Sequence, residues 1–167
     1  MNIFITGKPG CGKSTLILEL IKDLKDKNKK IAGIITPEIR ERKGESREGF
    51  SIIDLASSKQ EILASTKQKG PMVSKYGVNI AGIDFIVEEF KKSFNSADVI
   101  ILDEIGKMEI CSEKFKSMLE KVFNSKKIVI ATLHRSLIEK YKDKGKLIWL
   151  EKNKADLIKK QILEEIK

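Results

Sequence analysis

Two kinds of hydrophobic spacing alternate along this chain. Short apolar runs occur at Ile3-Phe4-Ile5, Ile31-Ala32-Gly33-Ile34-Ile35, Val99-Ile100-Ile101-Leu102 and Ile128-Val129-Ile130-Ala131-Thr132, with Leu147-Ile148-Trp149-Leu150 as a fifth. They are rich in β-branched residues and free of charge, so they predict strands buried on both faces. Between them, apolar residues recur every three or four positions, the helical period. Leu16, Ile17, Leu20, Ile21 and Leu24 make one such face, and Ile83, Ile86, Val87, Phe90 and Phe94 a second behind a possible cap at Asn79. Phe115, Met118, Leu119 and Val122 follow a Ser112 cap, a short helix is expected around Leu137 to Tyr141, and Ile158, Ile162 and Ile166 mark a helix from Asp156. Buried strands alternating with amphipathic helices predict an α/β architecture of three layers, a mainly parallel central sheet with helices on both faces. Thr36-Pro37-Glu38 ends the second strand, and a polar stretch to Ser46 precedes the returning run Gly49 to Leu55. We read residues 36–55 as an antiparallel hairpin added beside the main sheet. Residues 56–79, broken at Gly70-Pro71 and Tyr76-Gly77, predict one short strand and a loop.

Composition narrows the class. With 167 residues, 41% hydrophobic and 34% charged, the chain is expected to fold as one globular domain spanning 1–167. No apolar run approaches the roughly 20 residues of a membrane span, and no signal peptide is expected. Two cysteines, Cys11 and Cys111, make neither a disulfide framework nor a metal cluster, which fits the cytoplasm. The net charge of +9 raises nucleic acid as a partner, but the lysines are scattered among glutamates, as on solvated helix faces. Arginine is rarer, and Arg40, Arg42 and Arg47 fall close together in the hairpin. Planar, bidentate donors are what such a cluster would supply.

The chemistry begins at Gly7-Lys8-Pro9-Gly10-Cys11-Gly12-Lys13-Ser14, placed between a predicted strand and a predicted helix. Glycine, four residues, glycine, lysine and serine is the spacing of a phosphate-binding loop, in which backbone amides crowd around phosphate oxygens. Residues Lys8, Pro9, Gly10, Cys11, Gly12, Lys13, Ser14 and Thr15 are the expected nucleotide contacts, with Lys13 on the β- and γ-phosphates and Ser14 on Mg²⁺. The apolar run ending in Asp103-Glu104 is the natural partner of such a loop, because ligands sit at the carboxyl ends of strands. Asp103 is the second expected Mg²⁺ holder, and Glu104 can orient or deprotonate an attacking water. Arg40 and Arg47 are candidates for neutralising charge on the terminal phosphate. Lys107 and the lone histidine, His134, are further candidates with structural alternatives.

Asp103-x-x-Gly106 and Asn153-Lys154-Ala155-Asp156 also match the patterns of a guanine-reading GTPase. Only eleven residues follow Asp156, however, and they read as one amphipathic helix. Asn153 then serves better as a helix cap, with Asp156 completing a capping box.

Asp103-Glu104-Ile105-Gly106-Lys107-Met108-Glu109 resembles the signature of the THEP-type nucleoside triphosphatases, a family of P-loop proteins. Gly7 to Thr15, Gly33 with Thr36, Glu38 and Arg40, Arg47 with Gly49-Phe50, and Tyr76-Gly77-Val78 are similar as well. The resemblance covers nearly the whole chain. It implies a RecA-like P-loop NTPase sheet and Mg²⁺-dependent hydrolysis of ATP, GTP and other nucleoside triphosphates to the diphosphate and phosphate, with low base selectivity. A nucleotide or small-molecule kinase is the alternative, with residues 56–79 as the room for an acceptor. A GTPase and a nucleic-acid-associated ATPase stand behind it.

Overall fold

The computed structural model describes residues 1–40 and 46–167. Strand β1 (Asn2–Thr6) leads through a loop into α1 (Lys13–Asp26), and β2 (Ile31–Ile35) follows. Next come β3 (Glu38–Ile39), β4 (Gly49–Asp54), β5 (Gln60–Ser65), β6 (Met72–Val73) and β7 (Tyr76–Val78). The order continues with α2 (Ile80–Phe94), β8 (Val99–Ile105), α3 (Glu113–Phe123), β9 (Ile128–Leu133) and the single turn α4 (Ile138–Tyr141). It closes with β10 (Lys146–Trp149) and α5 (Ala155–Glu165). The ten strands of the described residues share one sheet, ordered β10-β1-β9-β8-β2-β4-β5-β7-β6, with β3 against β4. Pairings from β10 to β2 are parallel, and those from β4 outward are antiparallel.

The two-residue period of each buried strand divides its side chains between two cores. Ile3, Ile5, Val99, Ile101 and Ile130 join Leu16, Ile17, Leu20 and Leu24 of α1 and Ile162 of α5. Phe4, Ile100, Leu102, Val129 and Ala131 face the other way, toward α2, α3 and α4. All five apolar residues predicted for α1 are buried. Asn79 caps α2, its Oδ1 accepting from Gly82 N at 3.1 Å, and Ser112 caps α3 by accepting from Phe115 N at 3.0 Å. The helices' lysines pair along their own surfaces, as in Lys91–Glu88 at 2.7 Å and Lys142–Glu139 at 2.6 Å. No helix of the described residues is long and apolar enough to cross a membrane.

Two expectations change, and the hairpin gains its attachment. It exists, with Glu38 opposite Phe50 and Ile39 opposite Gly49, although Arg42 lies outside the described residues. It is added to the parallel strands at β2, where β4 pairs antiparallel with Ile35 opposite Ile53. Residues 56–79 hold three strands rather than one. Strands of two or three residues show no period of their own, and their hydrogen bonds come from neighbours distant in sequence. Finally, Asn153 does not cap α5. Its φ of 68° puts it in the left-handed region that asparagine tolerates, Lys154 occupies the cap position, and no side chain caps there.

Candidate active site

The strands β1 and β8 end on the same edge of the sheet, with β9 between them. The loop after β1 turns through Gly10 (φ 74°) and Gly12 (φ 100°), conformations that a Cβ resists. Gly7 is fixed by close approach, since a Cβ there would lie 2.6 Å from the carbonyl oxygen of Leu150. Gly12 is the N-cap of α1; no side chain caps this helix and its first turn carries no acidic residue. From that first turn Lys13 folds back over the loop, its Nζ donating to the carbonyls of Gly7 and Lys8 at 3.3 Å each.

Asp103 stands opposite, at the end of β8. The Thr132 hydroxyl of β9 donates to its Oδ1, and Ser14 lines the same cleft. Burial pushes the Asp103 pKa up, while the hydroxyls of Thr132 and Ser14 and the Lys13 charge pull it back. Burial also raises Glu104, with Lys13 lowering it and Asp103 raising it further. A carboxylate and a hydroxyl lining one cleft offer the hard oxygen donors that Mg²⁺ takes. Among the described residues no group of three or more His, Cys, Asp or Glu is gathered to cage a metal. The set therefore suits an ion held by one or two protein oxygens together with substrate phosphates.

Behind the acidic pair lies a network that sequence spacing did not single out. The Asp103–Glu104 peptide, which is cis, is held on both sides by Thr36 at the end of β2. Thr36 N donates to Asp103 O at 2.6 Å, and Glu104 N donates to the Thr36 hydroxyl at 3.0 Å. The same hydroxyl lies 3.1 Å from Asp103 O and 3.2 Å from Glu109 Oε1, while Gly106 N donates to Glu109 Oε2 at 3.1 Å. Glu109 is buried, and burial first, then the Glu104 charge, push its pKa up to about 8. The Thr36 hydroxyl thus accepts from Glu104 N and directs its one hydrogen toward Asp103 O and Glu109 Oε1. Thr36 and Glu109 belong to the motifs that carry the family resemblance, but only the register Ile35 opposite Asp103 reveals what they hold.

A cleft of about 550 Å³ opens over this edge. Pro9, Gly10, Lys13, Ser14, Asp103 and Glu104 line its floor. Phe50, Leu63, Val73 and Tyr76 form a wall from the antiparallel strands, so the region expected to be roomy does border the site. Lys107, His134 and Arg135 line it as well. Ser136 N donates to His134 Nδ1 at 3.2 Å, which leaves the proton of a neutral ring on Nε2. Burial, with Lys107, Arg135 and Lys13 nearby, lowers the His134 pKa.

Of the two arginine candidates, Arg47 lines the cleft and pairs with Glu38 at 3.3 Å. Arg40 pairs with the same Glu38 at 2.8 Å but does not line the cleft. Lys8 and Cys11 face the other side of the loop, Gly12 serves as the helix cap, and Thr15 is exposed on α1.

A family model described as NTPase matches residues 2–163. The chain is 42% identical over 167 residues to nucleoside-triphosphatase THEP1 of Methanocaldococcus jannaschii, an alignment covering 99% of this chain and 97% of that one. It is 42% identical over 171 residues to the protein of the same name from Thermotoga maritima, covering 99% and 93%. The crystal structure of THEP1 from the hyperthermophile Aquifex aeolicus superimposes with a TM-score of 0.83 at 30% identity, across 100% of this chain and 99% of that one.

Proposed function

This chain belongs to the NTPase family, and on that footing we propose that it is a Mg²⁺-dependent nucleoside triphosphatase with little regard for the base. ATP, GTP, CTP and UTP would each be split to the diphosphate and phosphate. The observation that carries this reading is the convergence of Lys13, Ser14, Asp103 and Glu104 on one cleft from the ends of β1 and β8. Loop amides of residues 8–15 and the Lys13 ammonium hold the phosphates. Ser14 and Asp103 are the residues that would hold Mg²⁺, which when bound neutralises charge on the phosphate oxygens.

Glu104 takes the proton of the attacking water as its oxygen bonds to the terminal phosphorus and the bond to the leaving diphosphate oxygen breaks. Burial makes this carboxylate a stronger base than a free glutamate. Thr36 and Glu109 hold the Asp103–Glu104 backbone, and so the direction in which both acids point. Arg47 adds positive charge toward the terminal phosphate, and Arg40 acts through Glu38, which both arginines share.

The whole of 1–167 acts as one domain in this reading, with 36–55 supplying part of the cleft wall. Its two cysteines are free thiols, which fits the cytoplasm as its compartment. The +9 charge is assigned to solvated helix surfaces, so added RNA or DNA is expected to leave turnover unchanged at low salt.

Phosphate release measured across ATP, GTP, CTP and UTP, with no acceptor added, tests the reading. Comparable rates support it. The roomy wall from Phe50 to Tyr76 favours a kinase as the second reading, and activity that appears only with an added acceptor would establish it instead. Glu104→Gln should lower turnover by about 10²–10⁴-fold while nucleotide binding persists.

A further inference from the structure

The phosphate loop has a second side. A cleft of about 500 Å³ lies between loop residues 8–11 and the segment 149–152 that leaves β10. It shares Pro9 and Gly10 with the cleft that holds Glu104. A triphosphate gripped by the loop with its terminal phosphate toward Glu104 has this other side within reach of its nucleoside end.

Trp149 stands in that second cleft. It is the only tryptophan of the chain, and 48% of it is exposed, although large aromatic side chains are usually well buried. Its backbone is fixed against the loop: Trp149 is the register partner of Thr6, and Leu150 N donates to Thr6 O at 2.8 Å. The Leu150 carbonyl also abuts Gly7, where no Cβ would fit. The exposed indole is thus held at a set distance from the phosphate grip. Around it are Lys8, Pro9, Lys152, Glu151 and the Cys11 thiol, and among the described residues lining the cleft the indole is the one aromatic ring.

We infer that Trp149 is the nucleobase platform of this enzyme: its indole face stacks on the base of the bound nucleoside triphosphate. The inference rests on the loop being the phosphate grip. Stacking serves every base, since each has a π-face, and this gives low base selectivity a physical source. Purines, with the larger face, should bind somewhat more tightly than pyrimidines.

The emission of this single tryptophan tests the inference directly. The full chain in Mg²⁺ is titrated with ATP, with CTP and with inorganic tripolyphosphate, which has phosphates but no base. Saturable quenching by both nucleotides is expected, with tripolyphosphate competing for hydrolysis yet leaving the emission unchanged. Trp149→Ala should raise KM for all four nucleotides by about 5- to 100-fold, with kcat changed far less, and Trp149→Phe should restore most of the loss. If ATP is hydrolysed with neither an emission change nor a KM change in Trp149→Ala, the platform is wrong and the phosphate reading stands. If neither nucleotide nor tripolyphosphate binds, both fall together.

Discussion

Strands β1, β2, β8 and β9 lie between helices on both faces, whereas β4 and β5 pack one face on α2 and leave Ile62 exposed on the other. The first group delivers its reactive ends through short connections. Lys13 comes one loop after β1, Asp103 and Glu104 lie within β8 itself, and Thr36 follows β2 directly. The antiparallel strands deliver a wall instead, carrying Phe50, Tyr76 and the half-exposed Arg47. Groups that must be placed to a fraction of an ångström belong on the doubly covered strands. The singly covered ones shape what enters, and their substitutions should be felt less in the chemistry.

That contrast can be broken by experiment. After Glu104→Gln, Lys13→Ala should have the largest effect, lowering kcat/KM by about 10²–10³-fold with little change in melting temperature. Thr36→Val keeps the shape but removes the hydroxyl that holds the Asp103–Glu104 peptide. Its kcat should fall about 10–100-fold, with KM nearly constant in steady-state assays. On the wall, Arg47→Ala should cost turnover about tenfold or less, and Arg40→Ala still less. Equal losses at Arg47 and Glu104 would show that the antiparallel strands take a full part in the chemistry.

The last effect is one of pH, and it is read in stability rather than in turnover. Because Glu109 titrates near 8 when folded, against 4.5 as its ordinary value, the native form keeps a proton that the unfolded chain releases. Stability from this group therefore falls as pH rises from 4.5 to about 8, by up to about 1.4 kcal/mol per pH unit. Glu109→Gln removes the titration, so its melting temperature should gain on the parent's between pH 5 and pH 8.5. Melting curves that run parallel with pH would place the proton elsewhere.

The same contrast governs what could be read from the residues alone. Val99 to Leu102 announces a buried strand because burial on both faces demands an unbroken apolar run, and Gly7 to Ser14 announces a strand-to-helix loop because its geometry is local. The strands β5, β6 and β7 announce little, for Gln60 and Glu61 alternate with nothing regular and Met72–Val73 is two residues long. Thr36 and Glu109 were legible as members of a motif but not as partners. Their role depends on β2 lying beside β8 in one register, and that register is set by packing across the sheet. Arg40 and Arg47 look alike in sequence, and only the position of the cleft separates them.

Gly12 leaves α1 without a side-chain cap or an acidic first turn. The helix is thus finished by whatever occupies the loop, and occupancy becomes a source of thermodynamic stability as well as of turnover. Any nucleotide that binds only the folded chain adds RT ln(1 + [L]/Kd), about 2.7 kcal/mol at a hundred times Kd. Backbone amides at the start of α1 should then exchange with solvent more slowly when nucleotide is supplied. The molecule's resistance to proteases would track the nucleotide pool, and an enzyme of this build is most vulnerable in the interval between one substrate and the next.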